Sequence, residues 1–261
     1  MTRVIAITNQ KGGVGKTTTA INLGAALASA DLSVLVIDLD PQGNTTSGLG
    51  VERDHLQASI YEVLLEQCQP SEALCPTEIA NLHVLPANRS LIGATVELLE
   101  VSDRERRLRA IIQDLQADYH YILIDCPPSL GILTVNALTA ADSLVIPMQC
   151  EYFALEGLSE LFNTIRRVRS RLNPGLEIEG VLLTMYDDRL NLANQIRKDV
   201  SRHLGQQLFQ TIIPRNVRLA EAPSFGKPVL LYDARCKGAS SYIDLASEIL
   251  ASARQRAVKV S

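Results

Sequence analysis

The sequence predicts an α/β protein built on a mainly parallel twisted sheet with helices on both faces. Three observations carry that prediction. Short apolar runs alternate with amphipathic stretches along all 261 residues, the pattern left by helical crossovers between parallel strands. Two of those runs, Ser33 to Asp38 and Tyr121 to Asp125, close on a carboxylate, and ligands bind beyond the carboxyl ends of such strands. The first run, Val4 to Ile7, passes into a glycine-rich turn and then into a helix beginning near Thr17.

That turn, Gln10-Lys11-Gly12-Gly13-Val14-Gly15-Lys16-Thr17-Thr18, reads as a phosphate cradle. Glycines let backbone N–H groups converge on phosphate oxygens, and the helix N-terminus adds partial positive charge. In such a loop Lys16 reaches the β and γ phosphates and the Thr17 hydroxyl holds Mg²⁺. The standard G-x-x-x-x-G-K-[ST] spacing asks for glycine at position 10. Gln10 stands there instead, and Lys11-Gly12-Gly13 precede Gly15-Lys16-Thr17.

The helix continues through Ala20, Ile21, Leu23 and Leu27, and Leu39 to Asn44 forms a loop beyond the second strand. Residues 51–80 predict short helices with polar joins, and Leu82 to Pro86 a strand. Leu91 to Gln116 is expected to be helical, with Arg104, Arg106, Arg107 and Arg109 on a solvated face. Strands follow at Tyr121 to Asp125, Ser143 to Met148, Ile178 to Met185 and Leu208 to Ile213. Helices are expected over Ala154 to Leu172, stopped by Asn173-Pro174-Gly175, and over Asn191 to Leu204. Pro214 to Arg218 is a loop entering a short helix, and Ala239 to Arg254 the closing helix. With no repeat or linker in sight, residues 1–261 are expected to be a single domain.

Composition narrows the class. Apolar residues at 46% and charged residues at 21% fit a soluble globular chain. No apolar run approaches the ~20 residues that span a bilayer, and, with a strand entered at once, no signal peptide is expected. The five cysteines, Cys68, Cys75, Cys126, Cys150 and Cys236, form no CxxC pair and read as reduced, mostly buried thiols. The four histidines lack metal-ligand spacing. Charge is uneven: residues 1–165 hold 9 Lys/Arg against 20 Asp/Glu, and residues 166–261 hold 16 against 9. An acidic half followed by a basic half suggests a local surface for a polyanion.

Phosphoryl transfer needs a phosphate cradle, a held metal and an oriented water. Gly12 to Thr18 supplies the first. Asp125 stands where a metal-side carboxylate belongs, and Asp38, a further carboxylate at the end of a neighbouring strand, is read with Thr17 and Asp125 as a candidate metal residue. Asp40, two residues on, is read as the group that orients the attacking water. The competing structural readings are that Asp40-Pro41 only starts a turn and that Asp125 only caps the segment that follows.

The blocks KGGVGKTT, VIDLDPQGN, ILIDCPPS, QCEYFALEG, EGVLLTMYD and IPRNVRLAEAPSFGKP together resemble the ParA/Soj chromosome- and plasmid-partitioning ATPases. These are P-loop NTPases of the ParA/MinD superfamily with a deviant Walker A loop. The resemblance implies an ATPase that uses ATP and Mg²⁺, with the nucleotide held by Lys11, Gly12, Gly13, Val14, Gly15, Lys16, Thr17 and Thr18. It implies an ATP-bound sandwich dimer whose interface includes Lys11, Gly12 and Glu151, with Gln149, Tyr152 and Phe153 nearby. Lys11 then reaches the partner's phosphates, and a second cation there neutralises charge that builds in the transition state. Pro214 and Asn216 fall where the family contacts adenine. Arg189 and Arg218 match family positions implicated in binding double-stranded DNA without sequence preference, and Arg197, Lys198, Arg202 and Arg215 are candidate neighbours. No helix-turn-helix arm is expected ahead of the first strand. A ParB/Spo0J-type centromere-binding partner is implied to stimulate slow hydrolysis, in a cytoplasmic protein associated with the nucleoid.

Three readings compete. A MinD-like membrane-associated positioning ATPase needs an amphipathic C-terminal helix with bulky apolar residues, which Leu250 to Ser261 lacks, so no membrane is expected among the partners. A metal-handling P-loop enzyme needs cysteine pairs, and Cys126 and Cys150 stand singly. A scaffold that binds ATP without turnover has no use for Asp40.

Overall fold

The computed structural model describes residues 2–151 and 154–260. Its strands are β1 (Arg3–Ile7), β2 (Val34–Asp38), β3 (Cys75–Pro76), β4 (Leu82–Leu85), β5 (Tyr121–Asp125), β6 (Ser143–Gln149), β7 (Glu177–Tyr186) and β8 (Leu208–Pro214). Its helices are α1 (Lys16–Ala28), α2 (Asn44–Gly48), α3 (Ile60–Leu64), α4 (Leu91–Glu97), α5 (Arg107–Leu115), α6 (Ile132–Ala140), α7 (Ala154–Arg171), α8 (Asn191–Leu204), α9 (Val217–Glu221), α10 (Val229–Tyr232) and α11 (Lys237–Val260).

The strands form one eight-stranded sheet in the order β3-β4-β2-β5-β1-β6-β7-β8. Every neighbouring pair is parallel except β3 with β4. The alternation along each strand explains why the sheet is covered twice. Val4, Ala6, Leu35, Ile37, Ile122 and Ile124 face a core shared with α3 to α8. Ile5, Ile7, Val34, Val36 and Leu123 face the opposite core, filled by α1 and by Tyr242, Leu245 and Ile249 of α11. Side chains of period two, apolar at both parities, leave no polar face to turn to solvent.

Four expectations need correction. The segment 75–76 is a short antiparallel edge strand rather than part of a helical stretch. The predicted helix over Leu91 to Gln116 is broken: Val101 is extended, Asp103 takes a left-handed conformation at φ 53°, and the chain re-enters helix only at Arg107. A β-branched residue followed by Ser102-Asp103, side chains that compete for backbone hydrogen bonds, lets tertiary packing win over helix propagation there. The thiols are less buried than expected, since Cys126 alone is buried and the other cysteines are half-buried. The closing helix also runs further than read, from Lys237 to Val260.

Glu179 of β7 is almost wholly buried and pairs with Arg3 of β1 and Arg256 of α11. The Ser143 hydroxyl donates to the same carboxylate at 2.8 Å. Burial pushes this carboxyl up, but hydrogen bonds from Arg256 and Arg3 and the Arg3 charge outweigh it, and it titrates below the usual range. The cluster ties the first strand, the seventh and the last helix together. Glu179→Ala strands two guanidinium groups that are mostly shielded, so unfolding in urea is expected to show a loss of about 2–3 kcal/mol; an unchanged midpoint counts against the tie.

Candidate active site

The parallel registers place the chemistry. Ile7 of β1 and Asp38 of β2 are each paired with Asp125 of β5, so the glycine loop leaves the sheet beside two adjacent carboxylates. Within the loop Gly13 and Gly15 hold φ at 74° and 88°, a region costly to residues with a Cβ. Gly15 stands at the N-terminus of α1. Neighbouring strands mould the loop from outside. The Thr184 hydroxyl donates to the Val14 carbonyl at 2.8 Å and Gln149 Nε2 to the Gly13 carbonyl at 2.9 Å. Asn9 donates to the Pro147 carbonyl at 2.7 Å and accepts from the Lys11 N–H at 3.0 Å. Lys16 is buried, and its Nζ donates to the Lys11 carbonyl at 3.1 Å. Burial lowers its pKa, and the charge of Asp125 opposes that shift.

Asp38 and Asp125 are fully buried and differ in what their oxygens do. Asp38 Oδ2 accepts from the Thr46 N–H and hydroxyl at 2.8 and 2.7 Å, and Oδ1 from the Asp40 N–H at 3.2 Å. Asp125 Oδ2 accepts from the hydroxyls of Thr17 at 2.8 Å and Thr45 at 2.6 Å. Its Oδ1 is buried with no hydrogen-bond partner. A carboxylate oxygen left bare in a dry site, next to a hydroxyl at the mouth of a phosphate loop, fits a hard divalent cation such as Mg²⁺. Burial, then the nearby Asp38, pushes the Asp125 carboxyl up to about 7, and burial pushes Asp38 up to about 6.

Asp40 is half-buried at the start of the loop. Its Oδ1 accepts from the Gln42 N–H at 2.9 Å and its carbonyl from the Gly43 N–H at 2.9 Å, so it does start a turn.

Beside the loop lies an apolar-walled cavity of about 330 Å³, lined by Thr18, Thr184, Ile213, Pro214, Asn216 and Tyr242 among others. Pro214 and Asn216 therefore meet the glycine loop across one cavity. Asn216 also caps α9, its Oδ1 accepting from the Arg218 N–H at 2.9 Å. Lys11 and Glu151, read separately from the sequence as interface residues, form an exposed ion pair within this one chain. Gly12 is exposed beside them. Tyr152 and Phe153 lie outside the described residues.

The basic residues divide. Arg189, Arg197 and Arg215 line a cleft of about 710 Å³ together with Lys237, Ser240 and Ser241. That cleft shares Pro214, Arg215 and Val217 with the apolar cavity. Arg197, Lys198 and Arg202 line a shallow groove next to it. Arg218 is turned elsewhere, paired with Glu221 at 2.9 Å and Asp233 at 3.2 Å. Arg189 is held by Asp187 through hydrogen bonds of 2.8 and 2.6 Å, and Arg197 lies 5.8 Å from the Tyr186 ring centroid. Sequence reasoning missed Lys237, Thr45 and Thr184. Lys237 had a legible signal: it opens α11, where a cation opposes the helix dipole. Thr45 and Thr184 are ordinary threonines until the fold brings them to the loop.

A glycine loop followed by Lys-Thr at a helix N-terminus, facing a strand-end carboxylate, defines a P-loop nucleoside triphosphatase. A family model described as an AAA domain matches residues 2–178. The chromosome partitioning protein ParA of Myxococcus xanthus is 56% identical over 248 residues, covering 95% of this chain and 88% of that protein. The sporulation initiation inhibitor protein Soj of Bacillus subtilis is 54% identical over 251 residues, covering 96% and 99%. Among solved structures, a cobyrinic acid a,c-diamide synthase of Mycobacterium smegmatis with bound ATP analog and magnesium superposes with a TM-score of 0.85. It is 40% identical and covers 96% of this chain and 95% of its own. The chain belongs to the ParA/Soj family of chromosome-partitioning ATPases. Among the described residues, no helix is long and apolar enough to cross a membrane.

Folding raises the Asp125 carboxyl from about 4 in an open chain to about 7. The folded chain therefore binds more protons than the unfolded one over that window, and this group's contribution to stability falls as pH climbs. In metal-free buffer, Asp125→Asn is expected to melt above the wild type at about pH 7.5, with the gap narrowing as pH falls through about 7 and closing only near pH 4. Parallel melting curves across that range count against a buried, proton-sensitive carboxylate.

Proposed function

We propose that the chain works as one P-loop ATPase unit that hydrolyses ATP slowly with Mg²⁺, and that two copies closed over their nucleotides hold double-stranded DNA without regard to sequence. The observation that carries the reading is the meeting of the Thr17 hydroxyl with Asp125 at 2.8 Å, at the mouth of the glycine loop and beside a base-sized apolar cavity.

In this account the backbone N–H groups of Gly12 to Thr18 hold the phosphates, and Lys16 exchanges the Lys11 carbonyl for a phosphate oxygen. Thr17 and Asp125 would hold the cation, with Asp38 fixing the loop behind them through Thr46. Mg²⁺ bound there would supply neutralisation of phosphate charge. Asp40 uses one oxygen to shape its turn and has the other to orient the attacking water. Pro214 and Asn216 wall the base. Lys11 leaves Glu151, an exposed pairing of small worth, to reach the second copy's phosphates. Gly12 lets the two chains approach.

The basic cleft and groove would meet DNA phosphates through Arg189, Arg197, Lys198, Arg202, Arg215 and Lys237, with Arg218 at the margin. Such contacts give affinity without sequence information, and doubling them in a dimer makes binding depend on ATP. A ParB/Spo0J-type partner would stimulate hydrolysis and release, in the cytoplasm on the nucleoid. The family's partitioning role and the charge asymmetry between the two halves support this part of the reading.

Asp40→Ala is expected to dimerise with ATP yet release phosphate at least tenfold more slowly in the presence of DNA; normal turnover removes Asp40 from the mechanism. In gel shifts on random duplex, Arg189→Ala/Arg218→Ala is expected to abolish the ATP-dependent shift, and wild-type binding should weaken steeply with salt. Equal shifts for the variant and wild type, or equal shifts with ATP, ADP and no nucleotide, overturn the assignment.

A further inference from the structure

Strand β7 ends in an irregularity beside the glycine loop. Leu183 pairs with Ile212 and Tyr186 with Pro214, so three steps along β7 are matched by two along β8. The extra residue falls at Thr184-Met185, and Met185 stands there with φ at 49°. That conformation brings Cβ of an L-residue too close to its own backbone. The other non-glycine residues at positive φ are Asp31, Glu66, Asn81 and Asp103, all polar. Among the described residues Met185 is therefore the one apolar side chain held this way. Strain of this kind persists where the surrounding structure holds the residue in place, and it gathers at functional sites.

The strain aims the side chain at the loop. In a regular strand Thr184 and Met185 would point to opposite faces, and a bulge re-aims one of them. Here both reach the same place. A Cβ on Gly15 would lie 3.7 Å from the Thr184 side chain and 3.9 Å from Met185 Cε. Met185 Sδ accepts from Gln149 Nε2 at 3.0 Å, and the same nitrogen donates to the Gly13 carbonyl at 2.9 Å. The two protons of one amide group thus join the tip of β7 to the loop. Thr184, one residue earlier, donates to the Val14 carbonyl at 2.8 Å. In a trans peptide the carbonyl and the N–H that follows it point in opposite directions. Holding the carbonyls of Gly13 and Val14 from β6 and β7 therefore turns the N–H groups of Val14 and Gly15 away from those strands.

We propose that Met185 is a positioning residue for phosphate binding. Its bulge presents the thioether to Gln149, Gln149 keeps the Gly13 carbonyl turned outward, and the Val14 N–H is set toward a phosphate oxygen before any ligand arrives. A long, unbranched, polarisable side chain suits the task, because it fills the gap beside the loop and offers sulfur as an acceptor. A donor fixed in advance pays no ordering cost when the anion enters. The proposal rests on the reading of the glycine loop as a triphosphate cradle, and it does not depend on what fills the apolar cavity.

The probes are inorganic triphosphate and ATP, each with Mg²⁺, titrated calorimetrically into the full chain at a temperature where circular dichroism shows every variant folded. Met185→Leu keeps the apolar bulk and removes the acceptor. Met185→Gly frees the backbone and removes the side chain. Each is expected to weaken inorganic triphosphate at least about fivefold, the order of one lost hydrogen bond, and ATP by a similar factor. In a Gln149→Ala background Met185→Leu is expected to cost less than about a further factor of two, because the two side chains act as one unit. The Val14 amide resonance is expected to move when inorganic triphosphate is added to the wild type and to move less in Met185→Leu, a change that a purely structural role would not produce. Wild-type affinity in both Met185 variants, or losses that multiply with Gln149→Ala, overturns the proposal. A loss confined to ATP overturns it too, since Met185 is then only a wall of the cavity. A wild type that binds neither probe overturns the cradle reading and this proposal with it; a wild type that binds both, with variants that match it, overturns this proposal alone.

Discussion

The structure depends on the pairing of two buried carboxylates at the ends of neighbouring strands. Asp38 and Asp125 face each other across a parallel register, and water cannot dissipate their repulsion. Left alone, two such groups would be costly. The chain offsets that cost with hydroxyls and backbone N–H groups: Thr46 and Asp40 serve Asp38, and Thr17 and Thr45 serve Asp125. One oxygen, Asp125 Oδ1, is left over. Both carboxyls accordingly titrate well above the ordinary range, and the site is primed for a cation.

The rest of the architecture serves this arrangement. Thr17 lies in the first turn of the helix that the glycine loop feeds, so the loop's geometry and the carboxylate's partner are fixed together. Thr45 and Thr46 belong to α2, so the segment after Asp40 is anchored at the same point. From the other side, Gln149 and Thr184 hold the carbonyls of Gly13 and Val14. The loop between β8 and α9 then walls the apolar cavity on one side and the basic cleft on the other. The apolar cavity and the basic cleft therefore share a single short segment, Pro214 to Val217, so whatever occupies one borders the other.

Much of this was legible beforehand, for physical reasons. Apolar runs ending in Asp38 and Asp125, and a loop whose glycines precede Lys16-Thr17, are local patterns, and they fixed the strands, their direction and the phosphate cradle. What escaped depends on contacts between distant segments. The break after α4 came from Val101 to Asp103, where packing outweighs a helical pattern of apolar residues. The edge strand at Cys75–Pro76 forms only because β4 offers it a partner. The roles of Thr45, Thr46 and Thr184, and the pairing of Lys11 with Glu151 within one chain, involve residues far apart in sequence, and no spacing rule signals them.

The central claim is that nucleotide joins two chains and that only the joined pair holds DNA. Sedimentation velocity on the full chain with a labelled random duplex, run with Mg²⁺ and ATP, with ADP and without nucleotide, tests it most directly. The account predicts DNA-bound species containing chains in pairs with ATP and free duplex otherwise. A duplex carrying single chains, equally abundant under all three conditions, would contradict it.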